Sequence, residues 1–292
     1  MSDHECNGDC DHCAHAAEER QDAADCRIRH NLAGVRNSVV VLSGKGGVGK
    51  STVAANLAAA LALAGRRVGL LDVDVHGPSI TEMLGLRGAT LMATEQGEIQ
   101  PVDAGGVKVM SVGLAVPDPD AAIIWRGPMK LGVIQQFLSQ VDWGELDYLI
   151  VDAPPGTGDE PLTVCQSLPD PLGAVVVTTP QKVAAADVAR SLSFCEQLSF
   201  PIVGIVENMS GFVCPHCGER VEVFSSGAAD ELAAKYGAPV LGRIPLDPAV
   251  CASGDAGVPF MRSAAGSPVG QAFAQIVAAL EKAAAERKHS EC

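Results

Sequence analysis

Aromatic side chains are scarce in this chain, making up 4% of 292 residues. Its core therefore has to be built from Ala, Val, Leu and Ile, in a composition that is 47% hydrophobic. That suits helices packed on a parallel sheet, whose doubly covered strands read as continuous aliphatic runs. Positive charge is also scarce: 21 Lys and Arg face 35 Asp and Glu, a formal net charge of −14. Affinity for nucleic acid comes from Lys and Arg on phosphates, and anionic membranes attract polybasic segments. Neither nucleic acid nor a membrane is expected as a partner. Long apolar runs are missing too. The longest, "VAANLAAALALAG", is too short to span a bilayer. The start, "MSDHECNGDC", is acidic and has no apolar signal region. A cytoplasmic location is expected, and reducing conditions there turn cysteine clusters toward metal binding or catalysis rather than disulfides.

What is present divides in two. Residues 1–30 carry eight acidic side chains and three arginines, with no Val, Phe or Leu. Such a segment lacks the apolar surface to order itself and is expected to be a disordered arm unless a metal folds it. Residues 1–35 are assigned to this cysteine-rich arm and 36–290 to a folded domain. In the latter, "SVVVLSG", "RVGLLDVD", "YLIVDAPPGTGD", "GAVVVTTP", "FPIVGIVENMSG" and "GAPVLGRIPLD" read as strands. Helical stretches separate most of them, among them "KSTVAANLAAALALAG" closed by Gly65, residues 184–198 and residues 270–287. "TEQGEIQPVDAGGVKVMSVG" reads as a small hairpin excursion. Alternating strands and helices predict an α/β fold, a mostly parallel sheet flanked by helices, with ligands at the carboxyl ends of the strands.

"GKGGVGKS", Gly44 to Ser51, fits the phosphate-loop pattern between a strand and a helix. Backbone N–H groups of Gly44, Lys45, Gly46, Gly47, Val48 and Gly49 can wrap the phosphates, assisted by the positive end of the helix. Lys50 is expected on the β- and γ-phosphates of ATP, and Ser51 on Mg²⁺, with Thr52 as the alternative. Asp72 and Asp74 end one strand and Asp152 another, where carboxylates orient the attacking water and the metal's water shell. Asn208 comes after a strand and offers a donor and an acceptor to a base edge.

Lys45 is not needed by an ordinary phosphate loop. With it, "KGGVGKST" resembles the deviant Walker A loop of the SIMIBI ATPases, the class that includes MinD, ParA and the nitrogenase iron protein. The resemblance implies a MinD-like P-loop fold and a homodimer in which Lys45 crosses to the partner's nucleotide. A charge supplied in trans acts as an arginine finger does, which is worth about 10³–10⁵ in rate. It also makes Asp74 the water-positioning residue, Asp152 the Walker B acid, and Asn208 an adenine contact.

Together with "DVDVHGPS", "DAPPGTGD", "ENMSGFVCPHCG" and "IPLDPAVCASGDAGVPF", the loop is similar to the Mrp/ApbC family of iron–sulfur cluster carriers. The likeness runs from about residue 36 to the last helix. It implies that Cys214 and Cys217 from each of two subunits hold a bridging [4Fe–4S] cluster, destined for apo iron–sulfur client proteins. Four thiolates also suit tetrahedral Zn²⁺, and a redox disulfide is a third chemistry open to the pair. Cys6, Cys10, Cys13 and Cys26 make a second set of four, similar to the cysteine arm of the eukaryotic cytosolic scaffolds. Their spacing departs from the bacterial ferredoxin run, and His4, His12 and His15 keep zinc open there. Cys165 and Cys195, in apolar surroundings, read as core; Cys251 reads as structural and Cys292 as a free thiol. The alternatives to a cluster carrier are a MinD- or ParA-like switch with structural zinc, and an ATP-dependent electron donor.

Overall fold

The computed structural model describes residues 24–74, 77–115, 127–214, 216–224 and 227–290. Its main sheet starts with β1 (Ser38–Ser43), β2 (Val68–Asp72), the short β5 (Val102–Asp103) and β6 (Val107–Ser111). It continues through β7 (Tyr148–Asp152), β8 (Gly173–Thr178), β9 (Ile202–Val213), β10 (Arg220–Val221) and β11 (Val240–Leu246). A separate ribbon pairs β3 (Met92–Ala93) with β4 (Ile99–Gln100). The spatial order is β9-β8-β1-β7-β2-β6-β5, with β11 alongside β9 and β10 folded back on its far end. β11, β9, β8, β1, β7, β2 and β6 run parallel, while β5 and β10 are antiparallel to their neighbours. This is the parallel sheet expected from the aliphatic runs.

Successive strand residues serve opposite faces. Val39, Val41, Val175 and Val177 enter one core; Val40, Leu42, Ala174 and Val176 enter the other. The first core is covered by α1 (Lys50–Leu63), α8 (Phe260–Ala264) and α9 (Pro268–Ser290), with α2 (Ile80–Met83) at its rim. The second lies under α3 (Gly127–Gln140), α4 (Asp159–Ser167), α5 (Lys182–Gln197) and α6 (Ala228–Tyr236). α7 (Pro248–Asp255) follows β11 and packs against α2 and α8. α1 is buried over most of its length, and its alanines let it lie close on the sheet. Beyond its last turn Gly65 takes φ 80°, and Arg66 N–H donates to Leu61 O at 3.1 Å, closing the helix as expected. Val269, Phe273, Ile276 and Leu280 bury one stripe of α9, so the C-terminal helix packs on the core.

Three expectations are revised. Residues 24–31 are helical, not a disordered arm: Ile28 and Leu32 are buried in the second core, and Asn31 Nδ2 donates to Leu138 O and Val141 O of the α3 region. The excursion after residue 93 does hold antiparallel pairings, β3 with β4 and β5 with β6, but it is not a separate hairpin, because β6 also joins β2 as a parallel strand of the main sheet. β9 does not end at Asn208. It runs on to Val213 through a bulge at Met209–Gly211.

Candidate nucleotide and thiol sites

β1 is flanked by β7 and β8, and the carboxyl ends of these parallel strands meet at one edge. The chain leaves β1 into the glycine-rich loop and enters α1 at Lys50. Two glycines are fixed by close approach. A Cβ on Gly44 would lie 2.2 Å from the Asp187 carbonyl carbon of α5. Gly49 takes φ 81°, and its Cβ would lie 2.2 Å from Asn208 Nδ2. The loop is thus clamped between α5 and β9. Asn208 Nδ2 also donates to Val48 O at 2.9 Å, so this residue anchors the loop besides facing the adjoining cavity. The loop's N–H groups lie at the positive end of a 14-residue helix, a built anion site.

Strand register assembles the charges. Asp72 on β2 is directly opposite Asp152 on β7, and Val41 on β1 is opposite Asp152 from the other side. Lys50, buried, places Nζ 2.6 Å from Asp152 Oδ1, 3.5 Å from Asp74 Oδ2 and 3.3 Å from Ser51 Oγ. Burial pushes the Asp152 carboxyl up, and Lys50 opposes that shift. Asp72 is fully buried; burial and then the Asp152 charge push it up to about 8, against the Ser111 hydroxyl, which donates to Oδ2 at 2.8 Å. Asp74 N–H donates to the other Asp72 oxygen at 3.0 Å. Among the described residues Asp152 Oδ2 is buried with no hydrogen-bond partner. Hard carboxylate and hydroxyl oxygens beside a phosphate loop are the donor set that Mg²⁺ takes, so Ser51, Asp74 and Asp152 fit that ion. Lys45 is half-buried in the same loop.

A cavity of about 550 Å³ opens beside the loop. Thr52, Val53, Asn208, Met209, Pro245 and Leu246 line its loop side. A largely apolar cavity with the Asn208 amide on its loop side suits a planar heterocycle. Of this wall, Asn208 is legible in the sequence. Met209 and the Pro-Leu pair at the end of β11 lie within stretches that carry the resemblance, but their place on this wall is not legible, because only the fold brings them to the loop.

Cys214 and Cys217 lie in the turn that closes the β9–β10 hairpin, beyond the sheet edge. Cys214 N–H donates to Glu219 O at 2.9 Å, and Gly218 N–H to Cys214 O at 2.8 Å. The backbone N–H groups of Cys217 and His216, together with the Cys217 thiol, hold the Cys214 thiol below its ordinary range. A turn that aims N–H groups at a sulfur favours the thiolate, the form that ligates metal. Cys217 and His216 are exposed. Among the described residues no group of three or more His, Cys, Asp and Glu converges as a metal site.

The remaining cysteines separate clearly. Cys165 in α4 and Cys195 in α5 are buried, and burial pushes both thiols up to about 12, so they are core as expected. Cys251 is not a packed structural residue: it is exposed on α7 at the cavity wall, its thiol 3.8 Å from Asp255 Oδ2. Cys26 is exposed on the helical segment over residues 24–31. Cys6, Cys10, Cys13 and Cys292, with His4, His12 and His15, lie outside the described residues.

Known proteins resemble the chain over most of its length. It is 48% identical to the iron-sulfur cluster carrier protein of Methanocaldococcus jannaschii, over 88% of this chain and 90% of that one. It is 51% identical to the human cytosolic Fe-S cluster assembly factor NUBP2, over 86% and 93%. A nucleotide-binding protein from Archaeoglobus fulgidus, solved in complex with ADP, superposes with a TM-score of 0.71 at 43% identity, over 80% and 92%. Residues 34–281 match the family model described as ParA, NUBPL iron-transfer P-loop NTPase. Fold, loop and sequence agree, and the chain belongs to the NUBPL iron-transfer P-loop NTPase family.

Proposed function

We propose that this protein is an ATP-hydrolysing carrier or scaffold that binds a [4Fe–4S] cluster through Cys214 and Cys217 and gives it to apo iron–sulfur proteins. The observation that carries the reading is a thiolate-favouring Cys-x-x-Cys turn on β9, the strand whose Asn208 holds the phosphate loop. Each chain supplies two thiolates, half of a four-cysteine set. A two-fold axis brings the same patch together from two subunits, so a homodimer completes the set. The cluster is cargo, and its exposed position suits release. The relatives' names support the cargo, and the human relative's name supports a cytosolic setting.

In this reading Lys50 exchanges its carboxylate partners for the β- and γ-phosphates. Gly44 to Gly49 wrap the phosphates with N–H groups, and Asn208 with Met209 receives the base. Ser51, with Asp74 and Asp152 around it, would hold Mg²⁺, which neutralises phosphate charge when bound. Asp74 positions the attacking water, and Lys45 enters the partner's site. Residues 1–35 form a second cysteine set, with Cys6, Cys10, Cys13 and Cys26 as its ligands, and residues 36–290 the ATPase domain. Lys45→Ala is expected to bind MgATP within about two-fold of the parent while turnover falls by about 10³, the lower end for a charge supplied in trans. Steady-state ATPase rates beside equilibrium titration check this. Unchanged turnover would remove Lys45, and with it the dimeric catalytic unit.

A further inference from the structure

Between the residue that holds the phosphate loop and the first cysteine of the pair lie only five residues, Met209 to Val213. They do not continue as a plain strand. On β11, Ile244 and Leu246 are two steps apart, whereas their partners on β9, Asn208 and Phe212, are four apart. β9 therefore bulges at Met209–Gly211. Met209 has φ 57° and Gly211 φ 72°. A methionine in the left-handed region is strained, and such strain persists only where its surroundings hold it. Bulges bend a strand and re-aim the residues beyond the bend.

The clamp on this bulge is buried. Ser210 Oγ donates to Glu207 Oε1 at 2.6 Å, spanning Met209. Both residues are buried, and Arg243 of β11 brings Nε to 3.6 Å from the same Glu207 oxygen. Arg243 also pairs with Asp230 of α6 at 2.5 Å. Glu207 Oε2 is buried with no hydrogen-bond partner among the described residues. A buried carboxylate so incompletely paired is costly and contributes nothing to the parallel ladder, whose bonds are backbone. Its position is explained by what it fixes: the bulge angle, with Asn208 and the phosphate loop on one side and the Cys214 turn on the other.

We infer that Ser210 and Glu207 are positioning residues that couple nucleotide occupancy to the thiol pair through the β9 bulge. This rests on the proposed use of Cys214 and Cys217 and assigns its regulation. A nucleotide filling the cavity bears on Gly49 and Asn208; the stapled bulge turns that displacement into a reorientation of the Cys214 turn. Linkage is reciprocal, so a ligand on the thiols changes nucleotide affinity by the same factor.

The test uses the full-length chain without metal or cluster, so it does not depend on the cargo. The rate of iodoacetamide alkylation at Cys214 is measured by peptide mass spectrometry, with and without MgADP. In the parent, MgADP is expected to change that rate by about five-fold or more, the lower range of allosteric coupling. In Ser210→Ala the change falls to less than about two-fold, while MgADP affinity and secondary structure stay as in the parent; Ser210→Thr, which keeps the hydroxyl, restores it. Glu207→Gln, which keeps an acceptor, gives an intermediate response. Equal responses in the parent and Ser210→Ala, or no response in the parent, would overturn the coupling. A full response in a protein that never takes up iron and sulfide would sustain the coupling and reject the cluster.

Discussion

At the scale of single residues, the nucleotide site is a charge problem held in check by Lys50. Two carboxylates on adjacent strands, Asp72 and Asp152, are fully buried, and a single buried ammonium faces them and Asp74. Asp72 has the sharpest consequence. An unfolded chain titrates this carboxyl near about 4, whereas burial beside Asp152 pushes it up to about 8 in the fold. Between those values the folded protein keeps a proton that the unfolded chain has lost. The associated stability is complete below about pH 4 and is lost as pH rises toward 8. Asp72→Asn is expected to flatten this decline, measured as the urea midpoint from pH 5 to pH 8. Asp147 works in a separate window: hydrogen bonds from Arg67 hold it at about 2, so its contribution is lost only as pH falls below about 4. Lys50, Asp74 and Asp152 are readable from motif and strand ends. Ser111, Asp187 and Glu207 are not, because strand register and helix packing bring them to their partners, and neither leaves a spacing in the sequence.

At the scale of elements, the loop between β1 and α1 is shaped by its neighbours as much as by its own glycines. Gly49 shows this most directly, with a left-handed backbone and the Asn208 amide where a side chain would begin. Gly49→Ala is expected to lower stability by about 1–3 kcal/mol, the cost of a non-glycine residue held there, and to weaken nucleotide binding as Asn208 is displaced. Gly46, whose Cβ would meet nothing within 4 Å, is the matched comparison, and Gly46→Ala should unfold at the parent's urea concentration. Helices and aliphatic strands are legible because hydrophobic runs and glycine stops report local structure. The bulge in β9 is not: nothing in "ENMSG" shows it, and only pairing with β11 and β10 carries the strand through it to Val213. The docking of residues 24–31 rests on Ile28, Leu32 and one asparagine, too few contacts to mark an otherwise polar, acidic segment as folded.

At the scale of the whole molecule, a parallel sheet carries two kinds of chemistry on connected elements. The phosphate loop, the carboxylates and the cavity gather at the carboxyl edge, and β9 extends that edge outward into the cysteine turn. Val213 and Val221 of this hairpin, and Val223 just beyond it, are exposed. A cluster at Cys214 and Cys217 is tested by the iron, acid-labile sulfide and zinc content per chain, determined on protein purified without oxygen. The parent is compared with Cys214→Ser/Cys217→Ser. A cluster carrier holds iron and sulfide in near-equal amounts, with a defined part lost in the double variant and nucleotide binding kept. Stoichiometric zinc without sulfide, lost in the same variant, would contradict it and make the cysteine turn a structural clamp on a nucleotide switch.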